Sequence, residues 1–276
     1  KKEYLTRLSQ KKITALAYEF LRDEVGTLPI IRAMSEIAGR ASVLIAAEYL
    51  NNAQKGKGEL MGGIPGVQPT DIVVIGAGAV GEYAVRAALG LGASVTVFDN
   101  SIHKLRRLET NIGRRIYSST ILPHVLQSSL EQCDVAIGAL RSQDGRSPSV
   151  VTEAMVMRMK PKSLIIDVSI DQGGCFETSE VTNHENPITI KHDIIHYGVP
   201  NIASRVSRTA SYALSNIFSP LLIEVAEAGG LHPYLWQNDG LREGVYMYKG
   251  NLTNHALGDR FGLISKEIDF LIAGNA

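Results

Sequence analysis

The stretch Asp71-Ile72-Val73-Val74-Ile75-Gly76-Ala77-Gly78-Ala79-Val80-Gly81, continued through a helical run to Ser94-Val95-Thr96-Val97-Phe98-Asp99, decides the fold of this chain. Residues 71–75 are a short apolar run rich in β-branched side chains, which suits a strand covered on both faces of a parallel sheet. Gly76, Gly78 and Gly81 follow in G-x-G-x-x-G spacing. There the first glycine permits a sharp turn, the second lets backbone approach a diphosphate, and the third lets the helix lie close to the strand. The helix opening at Ala79 would offer free amides, at the positive end of its dipole, to negative charge. It runs to about Leu91, Gly92 ends it, a second strand follows at 94–98, and Asp99 closes that strand. An acid about 20 residues beyond such a loop hydrogen-bonds a ribose 2′-hydroxyl and repels a 2′-phosphate. Neither Asn100 nor Ser101 supplies a cation, so these residues favour NAD over NADP. With 26 glycines in the chain the spacing alone is weak, and the flanking strands and the acid give it weight. The competing reading is a glycine-rich βαβ turn that holds no ligand.

Working outward, 276 residues can bury ample core and can form two domains or one large one. Lys plus Arg and Asp plus Glu balance at 28 each, which points away from nucleic acid and anionic membranes and toward a small-molecule ligand. The most apolar stretches, 41–47 and 218–225, are too short or too interrupted to span a bilayer. Cys133 and Cys175 form no C-x-x-C, consistent with a reduced cytoplasmic setting and no structural metal.

In chain order, 1–12 reads as an amphipathic helix and 13–18 as a strand, a lone pair that resembles the end of a domain whose first part precedes Lys1. Pro29 and a turn at Met34-Ser35-Glu36 precede a helix over 37–50, whose small residues Ala38, Gly39, Ala41, Ala46 and Ala47 allow close packing. The run 58–69, dense in glycine and proline, is loop. After Asp99 the pattern predicts helices at 102–112, 122–130 and 153–159 and strands at 115–118, 134–138, 163–168, 188–190 and 196–199. This alternation describes an α/β fold, a doubly wound parallel sheet with right-handed crossovers. A helix-rich tail, 209–228 and 254–272, then leaves the sheet. The expected division is 1–31 as the remnant of a second α/β substrate domain, 32–203 as the nucleotide domain, and 204–276 as a helical part returning to the first.

Ligands in such sheets lie beyond the carboxyl ends of the strands, near the switch point. Gly138-Ala139-Leu140 ends one strand there and Asp167 to Glu177 follows another, and both should face the nicotinamide half of a cofactor. Asp171, beside the Gly173-Gly174 turn, can hold a substrate ammonium or help move a proton; an aspartate that satisfies turn amides is the equal alternative. Asp167 reads as a residue that orients a neighbour, and Cys175 as a small buried hydrophobe. His184, His192 and His196 lack metal-ligand spacing. Lys104 could reach the adenosine ribose, while Arg106 and Arg107 read as solvated.

The segments Met34 to Arg40, Leu60-Met61-Gly62-Gly63-Ile64-Pro65-Gly66-Val67, the Gly76 loop and Ile170-Asp171-Gln172-Gly173-Gly174-Cys175-Phe176-Glu177 together resemble the alanine dehydrogenase branch of the alanine dehydrogenase and pyridine nucleotide transhydrogenase family, over nearly the whole chain. The resemblance implies a Rossmann NAD-binding domain, oxidative deamination of L-alanine to pyruvate and ammonium, and a homo-oligomer, a hexamer in the family. It implies Asp171 as the catalytic aspartate beside the nicotinamide. Ser35, Asp99, Lys104, Leu140, Ile170 and the segment Val199-Pro200-Asn201-Ile202 would contact NAD, joined by Ser118 from the Tyr117-Ser118-Ser119 run. With Gly76, Gly78, Ala79, Gly81, Gly138 and Ala139 these complete the expected cofactor set. The family's substrate-binding arginine and lysine and its catalytic histidine belong to a segment that would precede Lys1. The resemblance therefore supplies a full cofactor site and part of a substrate site. Alternatives of other classes are the soluble NAD-binding part of a transhydrogenase and a module that binds NAD without turnover.

Overall fold

A computed structural model describes residues 1–141 and 147–274, so the last two residues of the expected helical tail lie outside it. The elements in chain order are α1 (Lys2–Gln10), β1 (Ala15–Leu16), α2 (Pro29–Tyr49), β2 (Asp71–Ile75), α3 (Ala79–Gly90), β3 (Ser94–Phe98), α4 (Ile102–Ile112), β4 (Tyr117–Ser119), α5 (Pro123–Gln132), β5 (Val135–Gly138), α6 (Glu153–Val156), β6 (Leu164–Asp167), β7 (Ile188–Lys191) and β8 (Ile194–Tyr197). They are followed by α7 (Ser207–Glu227), α8 (Leu231–Gln237), α9 (Asp239–Arg242), β9 (Val245–Tyr248), β10 (Asn251–Leu252), α10 (His255–Phe261) and α11 (Ile268–Ala273). The chain divides into two compact units, one of residues 34–210 and one of 1–33 with 211–276.

In the larger unit seven strands form one sheet in the order β4-β3-β2-β5-β6-β8-β7. All neighbours are parallel except β7, which runs antiparallel to β8. The sheet is of the Rossmann type, and its order reverses between β2 and β5. The two-residue period of each strand divides its apolar side chains between two cores. Ile72 and Val74, with Val135, Ile137, Leu164 and Ile166, join a core closed by α2, α3 and α4. Val73 and Ile75, with Ala136 and Ile165, join the opposite core, closed by α5 and α6. This double coverage is why β2 reads as an unbroken apolar run rather than an alternating one. The predicted strand 196–199 sits two residues earlier, and 188–191 is an antiparallel edge rather than a further parallel strand. A short link at 192–193, with both residues at positive φ, folds the chain straight back, which leaves no room for the crossover that a parallel pair needs.

Helix α2 begins at Pro29, so Met34-Ser35-Glu36 is helical and not a turn; proline at a first helical position suits the start because its missing N–H is not needed there. Gly39 lets α2 lie against α3: a Cβ there would stand 2.3 Å from the Val80 carbonyl oxygen.

In the smaller unit β1 is only Ala15–Leu16, and Tyr18 belongs to a 3₁₀ turn. The first strand is not lone, for it pairs antiparallel with β9, which pairs with β10. The sequence pattern missed both of these strands. The helix expected over 254–272 is broken into α10 and α11, Gly262 ending the first in a left-handed conformation. Leu5, Met247 and Leu252 form a buried cluster in this unit.

Candidate dinucleotide site

Where the strand order reverses, the loop after β2 and the loop after β5 meet at the carboxyl edge of the sheet, the place where open α/β sheets take ligands. Each glycine of the first loop has a visible task. Gly76 adopts φ +117°, and a Cβ on it would lie 2.5 Å from the Ala139 carbonyl oxygen. At Gly81 a Cβ would come 1.8 Å from the Gly76 carbonyl oxygen, so helix and turn can close up only on glycine. Gly78 differs: a Cβ there would meet nothing within 4 Å. It is the N-cap of α3 and offers no side chain, so the first-turn amides have no side-chain cap. A cradle of unspent amides beside open space fits a diphosphate.

Asp99 is 5% exposed and fixes this loop to the end of β3. Its Oδ2 accepts from the Ala77 amide at 2.8 Å and its Oδ1 from the Ser101 amide at 2.8 Å. A carboxylate has about four acceptor positions, so capacity is left for a hydroxyl. Lys104 Nζ stands 4.0 Å from Asp99 Oδ2, which brings a cation to the acid although positions 100 and 101 carry none. Arg107 is exposed, as expected of a solvated arginine, and also donates from Nη2 to the Ala77 carbonyl at 3.1 Å. Ser118 lies on β4 opposite Val97, and the Ser119 carbonyl accepts from the Asp99 amide, so both sit beside the acid's strand. Ser35 is one helical turn before Gly39 and so shares the face of α2 that meets the start of α3.

The second half of the site is built on a buried carboxylate. Asp167, fully buried, accepts from the Cys175 amide at 2.8 Å, the Phe176 amide at 3.4 Å and the Ser169 amide at 3.2 Å. Burial pushes its carboxyl above the usual range, with the Cys175 amide opposing. The loop it holds presses on Gly138, where a Cβ would be 2.8 Å from Phe176. Ser169 Oγ donates to the Leu140 carbonyl at 2.6 Å, which ties the ends of β5 and β6 together. Ile170, 5% exposed, opens the short helical turn that carries Asp171. The turn amides of Gln172, Gly173 and Gly174 are taken by the Ser169 and Ile170 carbonyls. Asp171 is exposed and makes no side-chain hydrogen bond or ion pair among the described residues. The task that competed for Asp171, satisfying turn amides, belongs to Asp167 and the backbone.

Val199 and Ile202 are 2% exposed and packed in the core below the sheet's α2 face, so a ligand contact from this segment falls to its backbone and to exposed Asn201, held at φ +52°. Cys175 is fully buried, its thiol pushed to about 12 by burial and then by Asp167, as suits a small buried hydrophobe. His196 is buried, bonded to Thr178, and lowered to about 4 by burial. His184 pairs with Ser204 and His192 with Glu153, and no group of three or more metal-ligating side chains occurs among the described residues. No helix among them is long and apolar enough to cross a membrane.

Residues 42–255 match the family described as "Alanine dehydrogenase/PNT, C-terminal domain". The chain is 38% identical over 255 residues to an alanine dehydrogenase of Mycobacterium tuberculosis, which covers 91% of this chain and 67% of that protein. It is 37% identical over 269 residues to alanine dehydrogenase 2 of Staphylococcus aureus, covering 97% of this chain and 72% of that one. A solved L-alanine dehydrogenase superposes with a TM-score of 0.89 at 36% identity, over 94% of this chain and 72% of the other. A transhydrogenase from Sinorhizobium meliloti shares the fold, with a TM-score of 0.74 at 20% identity over 92% of this chain and 70% of the other. This chain thus spans about two thirds to three quarters of its relatives' length. Its glycine loop, its sheet order and these matches together place it in the alanine dehydrogenase/PNT family.

Proposed function

We propose that this chain binds NAD(H) at the carboxyl edge of its larger sheet and serves the oxidative deamination of L-alanine to pyruvate and ammonium, together with the reverse reaction. The observation that carries the reading is the loop at Gly76, Gly78 and Gly81, whose one open glycine sits before uncapped amides next to buried Asp99. The Gly78 to Gly81 amides would hold the diphosphate. Asp99 would accept from a ribose hydroxyl with Lys104 beside it. Ser35, Ala79 and Ser118 would border the nucleotide half, and Gly138 to Leu140, Ile170, Val199, Asn201 and Ile202 the nicotinamide half. NAD supplies a hydride acceptor when bound.

Asp171 would touch substrate: uncommitted to the fold, its carboxylate can hold the amino group of alanine or take its proton. Asp167, bonded to the Ser169, Cys175 and Phe176 amides on either side, would keep the Asp171 turn in place. The unpaired buried thiols of Cys133 and Cys175 suit a reduced cytoplasmic setting. Assembly from like subunits is part of the same proposal, with elution volume on gel filtration as its check. The test of function is NADH absorbance on mixing the chain with NAD and L-alanine. Turnover that Asp171→Asn abolishes supports the proposal. Binding of NAD without turnover reduces the chain to a binding module, and no binding removes the reading.

A further inference from the structure

The two peptides that flank Ala77 are each held from outside the loop. The Ala77 amide, in the Gly76–Ala77 peptide, donates to Asp99, and the Ala77 carbonyl, in the Ala77–Gly78 peptide, accepts from Arg107 Nη2 at 3.1 Å. Ala77 itself is fully buried. A trans peptide is planar, so its carbonyl and the next residue's N–H point in opposite directions. Fixing the Ala77 carbonyl toward α4 therefore fixes the Gly78 N–H away from α4. That N–H has no partner among the described residues, and open space lies over Gly78.

The helix phase explains why Arg107 and not Arg106 does this. Leu105 and Leu108 point into the core, and Lys104, Arg107 and Asn111 follow one another along the edge of that buried stripe. Lys104 reaches Asp99, which holds the glycine loop, Arg107 reaches Ala77 in that loop, and Asn111 Nδ2 donates to Glu82 Oε2 in the helix after it at 3.0 Å. Arg106, exposed like Arg107, lies on the other flank of the Leu105 and Leu108 stripe.

We propose that Arg107 is a positioning residue for the dinucleotide site: by holding the Ala77 carbonyl it aims the Gly78 amide at the diphosphate. The inference rests on the reading of the loop as an NAD site and deepens it. A guanidinium offers a charge-assisted bond that a neutral donor cannot match. The grip also places positive charge behind the diphosphate, without requiring that Arg107 touch it.

The experiment compares two ligands on two variants. ADP-ribose carries the diphosphate and the adenosine end; adenosine carries the adenosine end alone. Calorimetry for the first and ligand-observed NMR for the second are run on the unaltered chain, Arg107→Met and Arg107→Lys. Arg107→Met keeps the apolar stem without the donors, and Arg107→Lys restores one donor. The expected result is an affinity for ADP-ribose weakened about tenfold in Arg107→Met and partly recovered in Arg107→Lys. Adenosine affinity stays unchanged, and the Gly78 amide resonance of the free chain moves in Arg107→Met. Undiminished ADP-ribose binding, or an equal loss for both ligands, would overturn the inference, the latter by placing the guanidinium on the nucleoside. Absence of ADP-ribose binding by the unaltered chain is a different failure, that of the dinucleotide reading itself.

Discussion

The two ends of the larger sheet handle buried charge in opposite ways. At the amino edge, Asp134 precedes β5, and its Oδ1 takes Lys57 at 2.7 Å and Lys160 at 2.9 Å while Oδ2 takes the Asp71 amide at 3.0 Å. At the carboxyl edge, Asp167 ends β6 with three backbone amides and no cation. The first arrangement spends its charges on one another and bolts the preceding loops to the sheet. The second holds a loop while leaving Asp171 uncommitted, and the first-turn amides of α3, at the same edge of the sheet, have no side-chain cap. An end that closes itself is structural; an end that leaves donors and a carboxylate free is equipped to receive a ligand.

The largest effect that tests this contrast is on stability. Asp134→Ala strands Lys57, whose side chain is 14% exposed, and should cost about 3–5 kcal/mol in a urea titration while NAD affinity holds. A loss of NAD affinity with little loss of stability would reverse the roles assigned to the two ends. Next, Gly81→Ala drives a methyl into the Gly76 carbonyl and should destabilise the fold by about 1–3 kcal/mol, read from the same titration. Asp99→Ala should weaken NAD binding by about 1–3 kcal/mol by calorimetry, since the loop amide and the ribose hydroxyl lose one acceptor together.

The smallest effect lies in pH. Burial pushes the Asp134 carboxyl up, but hydrogen bonds from Lys57, the Asp71 amide and Lys160 outweigh it and hold it below the ordinary 3.8. Its stabilisation is therefore present above pH 3.8 and lost as pH falls through the folded-state value. For Asp167, raised by burial, ionisation costs stability as pH rises from 3.8 upward. Urea midpoints across acid pH should show the unaltered chain losing its advantage over Asp134→Asn as pH falls, and losing ground to Asp167→Asn as pH rises. Parallel curves would mean that the two carboxylates sit in equivalent surroundings.

Much of the α2-face half of the sheet was legible because its signals are local. Helix α4 matches its expected span, since Ser101 caps it by accepting the Lys104 amide and Gly113 ends it at φ +73°. The roles of Gly76 and Gly81 follow from the same kind of local necessity. Strands β9 and β10 were not legible, because a pair of short strands is defined by β1, which lies at the other end of the chain. Nor was the direction of β7, which depends on a tight link rather than on its own residues. Within the site, the sequence presents Arg106 and Arg107 as equals and Asp167 and Asp171 as neighbours. Only helix phase separates the first pair. Only the bookkeeping of turn amides, which the backbone and Asp167 satisfy between them, separates the second.

The most direct test is calorimetric titration of NAD into the unaltered chain and into Gly78→Val, a substitution whose side chain enters open space and so leaves the fold intact while filling the cradle. The account predicts saturable binding to the unaltered chain and none to the variant, with equal urea midpoints. Equal NAD affinity in the two proteins would contradict it, because the diphosphate would then be held somewhere other than the start of α3.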